Sequence, residues 1–199
     1  MKTASIEVIN QTATINDPTT MNNWTAQLDQ TTQLFQKYFG QLTPTELNWK
    51  PDAKTWSIAQ NIDHLMVLNS TYFPLLDDLK AGKNKLPFLA RFNFAVNFFG
   101  KLILKSVQPE EKKKINTFPI WEPTKSEIAG DILDRFTTHQ SQLKRAIMNT
   151  EDLAAKGVVI TSPANKNIVY KLSTAFEVIV AHELRHLKKA RSVLALLKK

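Results

Sequence analysis

The sequence predicts an all-α fold, a four-helix bundle, and three observations carry that expectation. Four long stretches repeat apolar residues at the three-and-four spacing of a single helix face. Side chains at capping-box spacing stand near the start of three of them. Between the second and third lies a stretch of about forty residues, Lys83–Pro123, too long for a plain loop and long enough to cross the bundle.

Taken in order, residues 1–21 are polar, contain Asp17-Pro18 and read as an N-terminal arm, and residues 22–199 read as the bundle domain. The first helix is expected over Asn22–Phe39, where Trp24, Leu28, Thr31, Leu34, Phe35 and Tyr38 share a face and Gly40 stops the run. Thr43-Pro44-Thr45-Glu46-Leu47 has the pattern of a short capped turn, and Trp49 and Pro51 follow in a non-repetitive connection. The second helix is expected from Ser57, with Gln60 at capping-box spacing, to about Leu79 before Gly82. Its inward stripe is Ile58, Ile62, Leu65, Tyr72 and Leu76, with His64 at the border.

The crossover is rich in phenylalanine (Phe88, Phe92, Phe94, Phe98, Phe99), and one helix is expected there, roughly Phe88–Lys105, followed by an extended piece. Arg91, Asn93, Asn97 and Lys101 interrupt it, so it is no membrane span. Packing over the bundle accounts for this segment; its alternating aromatic and basic residues also suit an interfacial helix or a dimer surface. The third helix is expected to open at Pro123-Thr124-Lys125-Ser126-Glu127 and to continue through Ile128, Leu133, Phe136, Gln140, Leu143 and Ile147. Asn149–Leu172, with Val158-Val159-Ile160-Thr161-Ser162-Pro163, suits either a short hairpin or an irregular loop. The fourth helix is expected from near Ser173, with Thr174 and Glu177 at capping-box spacing.

Composition narrows the function classes. With 199 residues, 43% hydrophobic and 22% charged, the chain is long enough to bury a core as one domain. It has no cysteine, so any metal must be held by nitrogen and oxygen, and no thiol of the chain can act as a nucleophile. The N-terminus lacks the apolar core of a signal peptide, and no run of about 18 apolar residues is free of charge, so a cytoplasmic protein is expected. The net charge of +8 is spread along the chain, concentrated only in Lys112-Lys113-Lys114 and the C-terminal tail. That is a solvated basic surface, and no nucleic-acid partner is expected.

The fourth helix carries the chemistry, as His182-Glu183-Leu184-Arg185-His186. Histidines four apart project from one helix face and can grip one ion. Ala175, Ile179, His182, His186, Val193 and Leu197 follow the spacing of an inward seam, so the pair points into the bundle. Burying two imidazoles is costly unless each finds a partner, and a metal satisfies both. His64 of the second helix is a third imidazole that a bundle interior can gather; as ligands the three leave a coordination position open, and the alternative is that they are hydrogen-bonded core residues. His139 is the spare, placed for ordinary polar packing. The string also matches H-E-x-x-H of zincin proteases, but Leu187–Lys199 holds no further His, Asp or Glu to complete such a site. Glu183, about a quarter-turn from His182, reads as a base or as a surface ion-pair partner. Arg185 reads as an anion binder or as the partner of a carboxylate.

Trp56-Ser57-Ile58-Ala59-Gln60-Asn61-Ile62-Asp63-His64-Leu65, then Ser162-Pro163-Ala164, then Ala181-His182-Glu183-Leu184-Arg185-His186-Leu187 resemble the DinB/YfiT-like superfamily, over about Asn22–Leu197. The resemblance implies an up-down-down-up four-helix bundle, a divalent metal such as nickel or zinc held at His64, His182 and His186, and frequently a homodimer. It further implies a metal-dependent enzyme acting on a small electrophilic substrate, either a thiol S-transferase using a low-molecular-weight thiol such as bacillithiol, or a hydrolase. The competing reading is a non-catalytic, metal-stabilised bundle that serves as an interaction or stress-response protein. Lys189 stands where several relatives carry glutamine.

Overall fold

The computed structural model describes residues 23–110, 117–123 and 126–198; the expected N-terminal arm, Thr124 and Lys125 lie outside the described residues. In chain order the helices are α1 (Asn23–Phe39), α2 (Pro44–Asn48), α3 (Ile58–Ser70), α4 (Phe73–Lys80), α5 (Asn93–Val107), α6 (Ile132–Met148), α7 (Glu151–Ala155) and α8 (Leu172–Leu197). A two-stranded antiparallel hairpin, β1 (Val159–Thr161) and β2 (Val169–Lys171), pairs Ile160 with Tyr170 just before α8. The fold is the expected all-α one, and the alternatives left open after Asn149 resolve in favour of the hairpin.

Four helices, α1, α3, α6 and α8, make the bundle, and side-chain pairs fix their directions. Trp24 stacks edge-on against Phe176 and Arg191 lies over Tyr38, so α1 and α8 run parallel. Lys144 pairs with Asp29 while Gln36 bonds Thr137, so α6 runs against α1. Asn61 meets His186 and Asn69 meets Glu183, so α3 runs against α8. The path is up-down-down-up, and α5 crosses the outside of the bundle against α8 and β2.

Local chemistry accounts for most of the boundaries. Thr43 and Glu46 form a reciprocal capping box on α2, as do Ser57 and Gln60 on α3. Four expectations need correction. The second helix does not continue to Leu79; it breaks after Ser70, because Pro74 has no N–H and its ring would collide with the carbonyl of residue 70. The chain restarts as α4 with that proline in its first turn. The third helix starts at Ile132, not near Thr124. Asn48 takes both the N–H and the C=O of Ile128 at 2.8 Å, which holds this backbone outside the helix. The fourth helix starts at Leu172 with no side-chain cap, so Thr174 and Glu177 lie inside it. Leu172 N–H donates instead to Val158 C=O at 2.8 Å, and the hairpin supplies what a cap would. The crossover helix also begins later than expected, at Asn93, after a single 3-10 turn over Phe88–Arg91.

The core divides into two apolar clusters along the bundle axis. One gathers Leu28, Leu68, Leu143, Phe176 and Ile179; the other gathers Phe35, Ile62, Leu65, Phe136, Leu187 and Ala190. Between them each bundle helix contributes buried polar groups: Thr31 from α1, Asn61, His64 and Asn69 from α3, Gln140 from α6, and His182, Glu183 and His186 from α8. Phe136 is fully buried, 4.9 Å from the ring of Phe35, so Phe136→Ala is expected to lower the unfolding free energy by roughly 3–5 kcal/mol. Urea titration of the two proteins checks it.

Candidate metal centre

His64 comes from the middle of α3, and His182 and His186 come from successive turns of α8. The antiparallel packing of α3 on α8 brings the three rings together, with centroids 4.6 Å (His64–His186), 5.1 Å (His64–His182) and 4.5 Å (His182–His186) apart. One ligand atom from each lies within 4.8 Å of the others, and all three residues are buried. The group could hold a metal ion.

Hydrogen bonds orient two of the rings. His64 Nδ1 lies 2.5 Å from the carbonyl oxygen of Trp121, an acceptor, so Nδ1 carries the proton and Nε2 presents a lone pair. His186 Nδ1 lies 2.8 Å from Asn61 Oδ1, which likewise leaves Nε2 as the lone-pair nitrogen. His182 Nε2 is 3.4 Å from His64 Nε2, and its Nδ1 is buried with no hydrogen-bond partner among the described residues. The inward Nε2 lone pairs of His64 and His186 are buried and are satisfied by a shared cation, and outer carbonyl or amide partners are what ligating imidazoles ordinarily use. The donor set, nitrogen alone, fits zinc, nickel or another imidazole-binding divalent ion.

Electrostatics agree with this fit. Burial pushes His64 down to about 4, partly opposed by its bond to Trp121. His182 and His186 are driven well below the usual imidazole value, first by burial and then by the neighbouring rings and Lys189. All three are neutral at pH 7, the state in which an imidazole ligates.

The rings open onto a cavity of about 170 Å³. Leu68, Tyr72, Ile103, Ile168 and Val178 make its apolar walls, and Arg185 and Lys189 bring positive charge to it. Tyr72 and Tyr170 share a hydroxyl–hydroxyl hydrogen bond of 3.0 Å; burial raises both, Tyr170 to about 12, so they are neutral donors and acceptors there. Ser162 of the Ser-Pro-Ala string also lines the cavity.

A family model described as the DinB superfamily matches residues 27–190. The chain belongs to the DinB superfamily. No match was found among curated proteins or among solved structures. The three histidines expected from the DinB resemblance are the ones this DinB bundle brings together.

Other expected residues sit differently. The surface alternative for Glu183 is excluded, since it is 0% exposed. Asn69 Nδ2 and Gln140 Nε2 donate to its two carboxylate oxygens at 2.9 and 2.7 Å. These donors favour the charged form and burial the neutral one; burial wins, raising the group to about 8. Glu183 is not among the cavity-lining residues, whereas Arg185 is, and its guanidinium donates to Ser106 C=O. Asn61, Asn69, Gln140 and Trp121 are partners that inspection of the histidines alone does not find. Asn61 carries a signal in hindsight, one turn before His64 on the same helix face.

His139 stays apart from the cluster, against Phe73 and in a groove with Asp63 and Arg135. Burial lowers it from 6.5 to about 4. Between those values the unfolded chain binds a proton that the folded one does not, so stability rises with pH and is lost as pH falls from 6.5 to 4. At about 1.4 kcal/mol per unit, His139 accounts for a loss on the order of 3 kcal/mol across that window. Denaturant titrations across the window should therefore give a flatter stability-against-pH slope for His139→Gln than for the parent, by about one proton.

Proposed function

We propose that this DinB-superfamily protein is a divalent-metal-dependent enzyme in which His64, His182 and His186 hold nickel or zinc, with residues 22–199 acting as one catalytic unit. The observation that carries the reading is the convergence of three buried, neutral imidazoles on one cavity with an apolar wall and a cationic edge. A divalent ion held by His64, His182 and His186 would supply Lewis acidity, which lowers the pKa of a bound water or thiol.

The reaction class is thiol S-transfer to, or hydrolysis of, a small electrophile. For transfer the thiol must come from a low-molecular-weight cofactor such as bacillithiol, because the chain has no cysteine. Residues of the chain have distinct tasks in this reading. Trp121 C=O and Asn61 Oδ1 hold two imidazoles in the tautomer that directs Nε2 inward. Arg185 and Lys189 suit an anionic group on the thiol or the substrate, and Leu68, Ile103 and Val178 exclude water from the reacting atoms. The family resemblance adds a homodimer to the same proposal, and light scattering on the purified chain reads that assembly.

Metal analysis by mass spectrometry of untagged protein is the direct test. Near-stoichiometric divalent metal is expected, absent from His64→Ala and from His182→Ala; an empty parent protein after incubation with nickel and zinc would sink the proposal. Asn61→Ala is expected to bind the same ion roughly 10–100-fold more weakly, read by chelator competition. Turnover of a chloronitrobenzene with bacillithiol, or of an ester panel, should vanish with His64→Ala. Full metal loading without any turnover would favour the non-catalytic, metal-stabilised bundle.

A further inference from the structure

Helix α5 has two unlike sides. Ala95, Val96 and Gly100 are buried against the bundle, and Ile103 and Ser106 line the cavity. The opposite side repeats Phe94, Phe98 and Leu102 at four-residue spacing, exposed by 73%, 61% and 55%. Phe88, 68% exposed, continues this face through ring contacts to Phe92 at 5.2 Å and from Phe92 to Phe94 at 5.7 Å. A shallow groove lined by Leu89, Phe94, Ala95, Phe98 and Phe99 runs through it. Leaving this much contiguous aromatic surface in water is unfavourable, and such a patch marks an interaction site.

Charge decides what covers it. From Leu79 to Pro109 the sequence has six basic residues, Lys80, Lys83, Lys85, Arg91, Lys101 and Lys105, and no acidic one. Lys101 and Lys105 are exposed and fall on the same side of α5 as Phe98 and Leu102, and the Arg91 guanidinium lies 5.4 Å from the Phe88 ring. A second copy of the chain docked face to face would bring two all-basic strips together without a compensating carboxylate. An anionic bilayer complements both features: phenylalanine rings enter the acyl boundary while lysines reach the phosphate layer. No helix among the described residues is long and apolar enough to cross a membrane, so the contact is one of lying on the surface.

We propose that the Phe88–Lys105 face docks the protein onto anionic phospholipid membranes. This contact is independent of whether the histidines hold a metal. Sedimentation of the full chain with vesicles tests it, using phosphatidylcholine alone against equal parts phosphatidylcholine and phosphatidylglycerol. Binding is expected to the anionic vesicles, to weaken as salt rises, and to fall by roughly tenfold or more in the double variant Phe94→Ser, Phe98→Ser. Both positions are exposed, and unchanged circular dichroism in the variant would show that the fold is kept. Equal binding to neutral vesicles, or binding that the double variant keeps, would overturn the proposal. So would a dimer in light scattering that the double variant dissociates, since the face would then belong to a second copy.

Discussion

A layer of polar side chains is buried across the middle of the bundle, and the hydrogen bonds most of them share fix how the helices meet. His64, Asn61, Asn69, Gln140, His182, Glu183 and His186 all lie out of water between two apolar clusters. An unsatisfied polar group in such a place costs about 1–3 kcal/mol, more if charged. The hydrogen bonds from Asn69 and Gln140 to Glu183, and from His186 to Asn61, therefore tie α3, α6 and α8 into one register. Sliding any one helix by a turn would leave a carboxyl or an imidazole without its partner.

The crossover belongs to the same arrangement. Its carbonyl at Trp121 sets the tautomer of His64, and Ser106 C=O accepts from Arg185 at the cavity edge. Trp121 also donates its indole N–H to Thr71 Oγ1 at 3.3 Å, in the turn where α3 breaks. That break, imposed by Pro74, thus gives the crossover a place to attach beside the histidines. Helix α5 forms part of the cavity wall on one side and presents phenylalanine and lysine outward on the other.

Much of this was legible in the chain. The three-and-four spacing of Leu28, Phe35, Ile62, Leu65, Phe136 and Leu143 identified core faces because burial in a bundle imposes that period. The same logic turned His182 and His186 inward. The box at Ser57–Gln60 was readable because a cap acts over a single turn. The boxes supposed at the third and fourth helices failed for a non-local reason. Asn48, eighty positions away in sequence, occupies the backbone of Ile128, and the hairpin caps α8 in place of a side chain.

By itself, then, the sequence determined the helical class, the inward direction of the histidine pair and the nitrogen-only donor set, all consequences of local periodicity and composition. The sequence offered His64 as a third imidazole, and tertiary structure decided how closely it meets that pair, that Glu183 is buried rather than exposed, and that Trp121 and Asn61 hold the rings. The physical reason is distance along the chain. His64 and His182 are separated by 118 residues, and only the antiparallel packing of α3 against α8 brings their nitrogens to 3.4 Å.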